Sequence, residues 1–159
     1  MSIYLFSLIV LVIIMLIYQK IAKRFEIVDK PNHRSSHESI TIRGGGIVFP
    51  ISVFMYFTCC GFQYPLFVLA VLIISAISFM DDIKPLNTSI RLVFQLISVL
   101  LVILQLISQL PLIYLPIVLF ILLGGVNAYN FMDGINGITG SYSLVLLSTF
   151  YYINQSILF

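Results

Sequence analysis

Six apolar runs alternate with short polar segments along the chain. They predict six membrane helices: Ser2–Tyr18, Ile47–Phe62, Leu66–Met80, Ile90–Ser108, Leu112–Val126 and Ser141–Phe159. A membrane helix needs about 20 apolar residues, with a range of about 17–25. The third and fifth runs fall short of that and are expected to continue into their polar flanks. Turn chemistry marks the breaks: Gly61 and Pro65 separate the second and third runs, and Pro111 stands between the fourth and fifth. The expected fold class is all-α, a polytopic integral membrane protein of about six transmembrane helices. It forms a single transmembrane domain over residues 1–159.

Composition narrows the alternatives. Hydrophobic residues make up 60% of the 159 and charged residues 9%, with a mean hydropathy of +1.12. Ordinary globular proteins carry about 45–50% and about 25%. A soluble domain of this length could not hide so much apolar surface, and a disordered chain would not contain it. A net charge of +2 offers no basic stripe for nucleic acid. Cys59 and Cys60 are adjacent, which strains a disulfide, and they read as buried apolar filler.

Charge sets the expected orientation. No Lys or Arg precedes the first run and no small-residue cleavage site follows it, which argues against a cleaved signal peptide. Lys20, Lys23 and Arg24 come directly after the run, as in a signal anchor with its N-terminus outside. Six of the eight Lys and Arg residues lie between Lys20 and Arg43, and Lys84 and Arg91 flank the loop after the third run. A six-span zigzag puts all eight on one face, which the positive-inside rule makes cytoplasmic. The six acidic residues, Glu26, Asp29, Glu38, Asp81, Asp82 and Asp133, fall on that same face. Asn87-Thr88-Ser89 matches a glycosylation sequon but lies on the cytoplasmic side, so Asn87 or Thr88 is expected to cap a helix.

Three polar segments gather on this face. Asp29 to His37, running on to Arg43-Gly44-Gly45-Gly46, combines cations, two imidazoles and a glycine run before a helix. Glycines there let backbone N–H groups approach a phosphate; a solvated basic loop facing anionic lipid is the alternative. Asp81-Asp82 ends the third run. Two carboxylates at the bilayer edge suit Mg²⁺, which wants hard oxygen ligands, or they form a hydrated pair that stops the helix from sinking. Asn127, Asn130 and Asp133 recur every third residue, so a helix would place them along one side. They could read a polar ligand or complete a metal shell; the alternative is a helix end with Gly134 as its cap and Asn136-Gly137 as a turn. Together the segments suggest phosphoryl chemistry between a lipid-borne group and a soluble phosphorylated one.

At these residues the chain resembles the polyprenyl-phosphate N-acetylhexosamine-1-phosphate transferases. The matching motifs, in order, are DKPNHRSSH (Asp29–His37) with RGGG (Arg43–Gly46), FMDD (Phe79–Asp82) and NAYNFMDGING (Asn127–Gly137). The resemblance implies transfer of N-acetylhexosamine-1-phosphate from a UDP-sugar to a membrane polyprenyl (undecaprenyl) phosphate. UMP is released, Mg²⁺ is required, and cell-wall or surface-polysaccharide assembly begins. It implies residence in the bacterial cytoplasmic membrane with the active face toward the cytoplasm. Asp81 and Asp82 match the family's aspartate pair, implied as catalytic and linked to lipid phosphate and metal. Asp133 matches a further residue of the metal pocket, so Asp82 and Asp133 are the implied metal ligands. Asp29, Lys30 and His37 match the loop tied to substrate phosphates, and Asn130 matches the nucleotide pocket. The implied partners are UDP-N-acetylhexosamine, polyprenyl phosphate and membrane lipid, with no nucleic acid and with a homo-oligomer left open.

Two departures accompany the resemblance. Many members carry an aspartate where Asn136 stands, so one ligand charge is missing. Family chains are also much longer, with a later aspartate motif and a His-containing loop, and this sequence matches only their N-terminal half. The expectation is a truncated product or partial sequence that inserts in the membrane without turning over on its own. The competing readings are a non-catalytic family remnant or membrane subunit, and a small cation transporter. The transporter reading is disfavoured because Asp81 and Asp82 sit at the membrane edge rather than the midplane.

Overall fold

The computed structural model describes residues 2–29, 41–59, 61–132 and 137–157. Six helices occupy them: α1 Ser2–Arg24, α2 Val48–Cys59, α3 Pro65–Ile83, α4 Thr88–Leu106, α5 Leu115–Met132 and α6 Ile138–Ile157. Two two-residue strands, β1 Val28–Asp29 and β2 Thr41–Ile42, pair antiparallel between α1 and α2. The fold is therefore all-α, apart from that short pairing. Each expected apolar run corresponds to one helix.

Four helices are long and apolar enough to cross a membrane: Tyr4–Arg24, Pro65–Ile83, Thr88–Leu106 and Leu112–Phe131. The helix over α2 is shorter. Its 12 residues rise about 18 Å at 1.5 Å each, and a 3₁₀ turn at Gly45–Ile47 extends it on one side. Helix α6 has the length, 20 residues, but Ser141, Ser143, Ser148, Thr149 and Asn154 dilute its apolar character. The short third and fifth runs do continue into their polar flanks: α3 carries Asp81 and Asp82 in its last turn, and α5 carries Asn127 and Asn130.

The helix ends follow local chemistry. Lys23 and Arg24 close α1, where cations complement the negative end of the helix dipole. Glu26 then turns left-handed at φ 54°, and the Ile27 N–H donates to the Ala22 carbonyl at 2.9 Å, which satisfies an orphan acceptor. Pro65 opens α3 at a position whose N–H is not needed. Asn87 caps α4 as expected, its side chain accepting from the Ser89 N–H at 3.2 Å. The Leu66 N–H at the start of α3 donates to Gln105 Oε1 near the end of α4, at 3.0 Å. One helix thus caps its antiparallel neighbour.

Consecutive helices pack on one another, most extensively α3 on α4 and then α4 on α5. The buried residues are Tyr18, Ala22, Val68, Ala70, Gln95, Ser98, Val99 and Ile103 among those described. The buried positions of α4 lie three and four apart, along one side of the helix. Large apolar side chains elsewhere stay exposed, such as Leu16 and Ile17 on α1 and Phe120 on α5. A bilayer is an apolar solvent, so these surfaces carry no penalty there. Cys59 corrects the expectation of burial: it is free and exposed at the end of α2.

Candidate functional site at one end of the bundle

Non-local contacts bring the polar segments to the same end of the bundle. The Tyr18 hydroxyl, late in α1, donates to the Arg43 carbonyl at 2.6 Å, just before the glycine run. The Tyr18 ring meets Phe79, late in α3, edge-on with centroids 6.2 Å apart. The end of α1, the start of α2 and the end of α3 are therefore neighbours. Arg91, early in α4, lies 3.2 Å from Asp81, late in α3. Because α4 and α5 pack together across the short 107–114 connection, the C-terminal end of α5 returns to this same end. Tyr129 on α5 and Tyr142 on α6 then meet edge-on at 5.5 Å, pinning both helices beside the third polar segment.

The aspartate pair sits in the last turn of α3, both residues half-buried. The two oxygens of Asp81 have separate partners. Oδ1 accepts from the Leu86 N–H at 2.7 Å, and Oδ2 faces the Arg91 guanidinium. The first bond satisfies a backbone donor in the turn, and the second ties the start of α4 to the end of α3. Asp82 lies beside it, within electrostatic reach of the Tyr18 hydroxyl.

The first segment is closed at its base by the strand pair. Val28 aligns with Ile42 and Asp29 with Thr41, and the Arg43 N–H continues the ladder to the Ile27 carbonyl at 3.1 Å. Asp29 and Thr41 thus lie side by side at the edge of the described residues. Gly44 follows at φ 73°, a left-handed conformation that suits glycine. A Cβ there would overlap the Tyr18 hydroxyl and come within 2.9 Å of the Phe79 ring. Only glycine lets the chain pass this close.

On α5, Asn130 is exposed, while the Asn127 side-chain amide turns back to its own helix and donates to the Leu123 carbonyl at 3.0 Å. Of the residues expected from sequence to form the site, Asp81 and Asp82 are placed together, and Asn130 lies at the same end of the bundle. Asp29 is placed by its backbone pairing alone. Lys30, His37 and Asp133 lie outside the described residues. Among the described residues no three His, Cys, Asp or Glu side chains cluster as a metal centre. The available donors are hard carboxylate and amide oxygens. These suit Mg²⁺, which commonly takes one or two carboxylates and fills its remaining positions with water and phosphate.

From the sequence, Phe79 belongs to the FMDD motif and Arg91 to the charged face, but neither their partners nor any part for Tyr18 was read there. Arg91 did carry a signal, because a cation near a helix N-terminus opposes the helix dipole unless an anion answers it. Tyr18 carried none beyond being an aromatic at the end of a span, which any interfacial belt contains.

Comparison with known proteins gives three results. Residues 64–157 match the family model described as glycosyl transferase family 4. The chain is 28% identical over 163 residues to the undecaprenyl-phosphate alpha-N-acetylglucosaminyl 1-phosphate transferase of Salmonella typhi, and equally to that of Salmonella typhimurium. Each match covers 91% of this chain and 43% of the relative, so the chain spans about two-fifths of the length of these curated relatives. No solved structure gives a significant match.

Proposed function

The chain belongs to glycosyl transferase family 4, and from that premise we propose that it transfers N-acetylhexosamine-1-phosphate from a UDP-sugar to a membrane polyprenyl phosphate. In this reaction an oxygen of the lipid phosphate forms a bond to the phosphorus that bears the sugar. The diphosphate P–O bond breaks, and UMP leaves with the bonding electrons. The setting proposed is the bacterial cytoplasmic membrane, with the polar end of the bundle toward the cytoplasm. The observation that carries the reading is the convergence of the Asp81–Asp82 turn, the glycine run and the α5 end on one end of an apolar bundle. A reaction between a lipid phosphate and a soluble nucleotide needs its acting groups at that boundary.

Phosphoryl transfer asks a protein mainly for positioning and charge neutralisation. Asp82, in the last turn of α3, is the carboxylate proposed to act on the lipid phosphate and to ligate Mg²⁺ together with Asp133. When bound, Mg²⁺ would neutralise charge on the diphosphate as it separates. Asp81 holds the turn in which Asp82 sits, through Leu86 and Arg91. Lys30 and His37 are proposed to meet substrate phosphates from the loop that β1 and β2 close, with Asp29 at its base. Asn130 is proposed to orient the nucleotide.

The test is the identity of the nucleotide released. Membranes carrying these residues at the full length of their relatives, supplied with UDP-N-acetylglucosamine, undecaprenyl phosphate and Mg²⁺, are expected to yield UMP and lipid-diphospho-sugar in equal amounts. Release of UDP would mean that the sugar moves without its phosphate, and would sink the proposal. Parallel reactions with other UDP-N-acetylhexosamines identify the sugar.

A further inference from the structure

We infer that Tyr18 is a positioning residue, a latch that sets the spacing between the glycine run and the aspartate end of α3. Three observations meet on this one side chain. It is among the buried residues of the bundle, 6% exposed, although most of α1 is exposed. Its hydroxyl donates to the Arg43 carbonyl at 2.6 Å, which is 25 residues away in the chain. Its ring packs edge-on against Phe79, two residues before Asp81. Gly44 completes the joint, since any side chain there would displace either the hydroxyl or the Phe79 ring.

The arrangement has a mechanical consequence. The β1–β2 base is the first anchor of Arg43 and Gly44 to α1. Strands of two residues give that base little stiffness of their own. The Tyr18 hydrogen bond fixes the second anchor to α1, and the Phe79 contact fixes both to the turn that carries Asp82. One hydroxyl therefore governs how closely the glycine run approaches the aspartate end of α3. The role in substrate placement rests on the proposed function; the latch itself does not.

Two measurements separate these levels. The first uses protein with Cys59 and Cys60 replaced and Gly46→Cys as a reporter, because a Cβ at Gly46 meets nothing within 4 Å. Tyr18→Phe keeps the ring and removes only the hydroxyl. It is expected to raise the rate of labelling by a membrane-impermeant maleimide about 3- to 10-fold, the range of one lost hydrogen bond. Phe79→Leu should raise it as well. Unchanged labelling in both variants overturns the latch, whether or not the protein is a transferase. The second measurement is steady-state kinetics of Tyr18→Phe with UDP-N-acetylglucosamine. KM is expected to rise about 3- to 10-fold with kcat within about twofold. Raised labelling with unchanged KM overturns the positioning role.

Discussion

Arg91 and Asp81 face each other across the α3–α4 connection, with the guanidinium 3.2 Å from Asp81 Oδ2 while Oδ1 holds the Leu86 N–H. This pairing ties Asp81 into the architecture of the turn, beside Asp82, and both aspartates remain proposed for the chemistry.

The pairing predicts that Asp81→Ala destabilises the fold, whatever it does to activity. It leaves the Leu86 N–H without its acceptor and Arg91 without its anion, at an expected cost of about 1–3 kcal/mol. Asp81→Asn keeps an acceptor for Leu86 and should cost about 1 kcal/mol or less, in line with a partly exposed ion pair. Thermal unfolding in detergent measures both. Equal losses for Ala and Asn would show that the backbone bond contributes nothing.

Gly44→Ala should be poorly tolerated and Gly46→Ala well tolerated. Gly44 combines a φ of 73° with a Cβ position already taken by Tyr18 and Phe79, while Gly46 has open space. The left-handed conformation alone costs a residue with a Cβ roughly 1–2 kcal/mol. The Gly44 variant should therefore accumulate in membranes at reduced levels. It should also be partly rescued by Tyr18→Phe, which withdraws the nearest clashing atom. Equal accumulation of both alanine variants would contradict this packing.

Gln95→Leu should stabilise the bundle. Gln95 Oε1 is buried on α4 without a hydrogen-bond partner among the described residues, and an unsatisfied buried polar group costs about 1–3 kcal/mol. An apolar side chain of similar size removes that penalty and keeps the contact. A higher unfolding temperature in detergent is the expected result; a lower one would mean that the amide is engaged in the membrane-embedded protein.

Much of this fold was legible because a bilayer imposes one simple rule on the chain. Long apolar runs must become helices, and Pro65, Pro111 and Asn87 mark where they start and stop. The aspartate pair was legible for the converse reason, since two carboxylates at the end of such a run need an explanation. What escaped was non-local. The bond between Tyr18 and Arg43 joins residues 25 apart, and no periodicity reports a single hydroxyl meeting a distant carbonyl. The pairing of Val28–Asp29 with Thr41–Ile42 was invisible for a similar reason, because two residues are too few to show alternation. Arg91 entered the reading as one unit of a charge count, and only the fold shows which anion it answers.

The most direct measurement of the central claim is UMP release by Asp82→Asn beside the unaltered protein, at saturating Mg²⁺ and UDP-N-acetylglucosamine. The exchange keeps the shape of the α3 end and removes one charge from the proposed metal ligands, a loss worth several kcal/mol at a phosphoryl-transfer site. A fall of at least about 100-fold is expected, with normal membrane insertion and an unfolding temperature close to that of the unaltered protein. Near-normal UMP release from Asp82→Asn would contradict it, leaving the aspartate as an anchor at the membrane edge and placing the chemistry elsewhere.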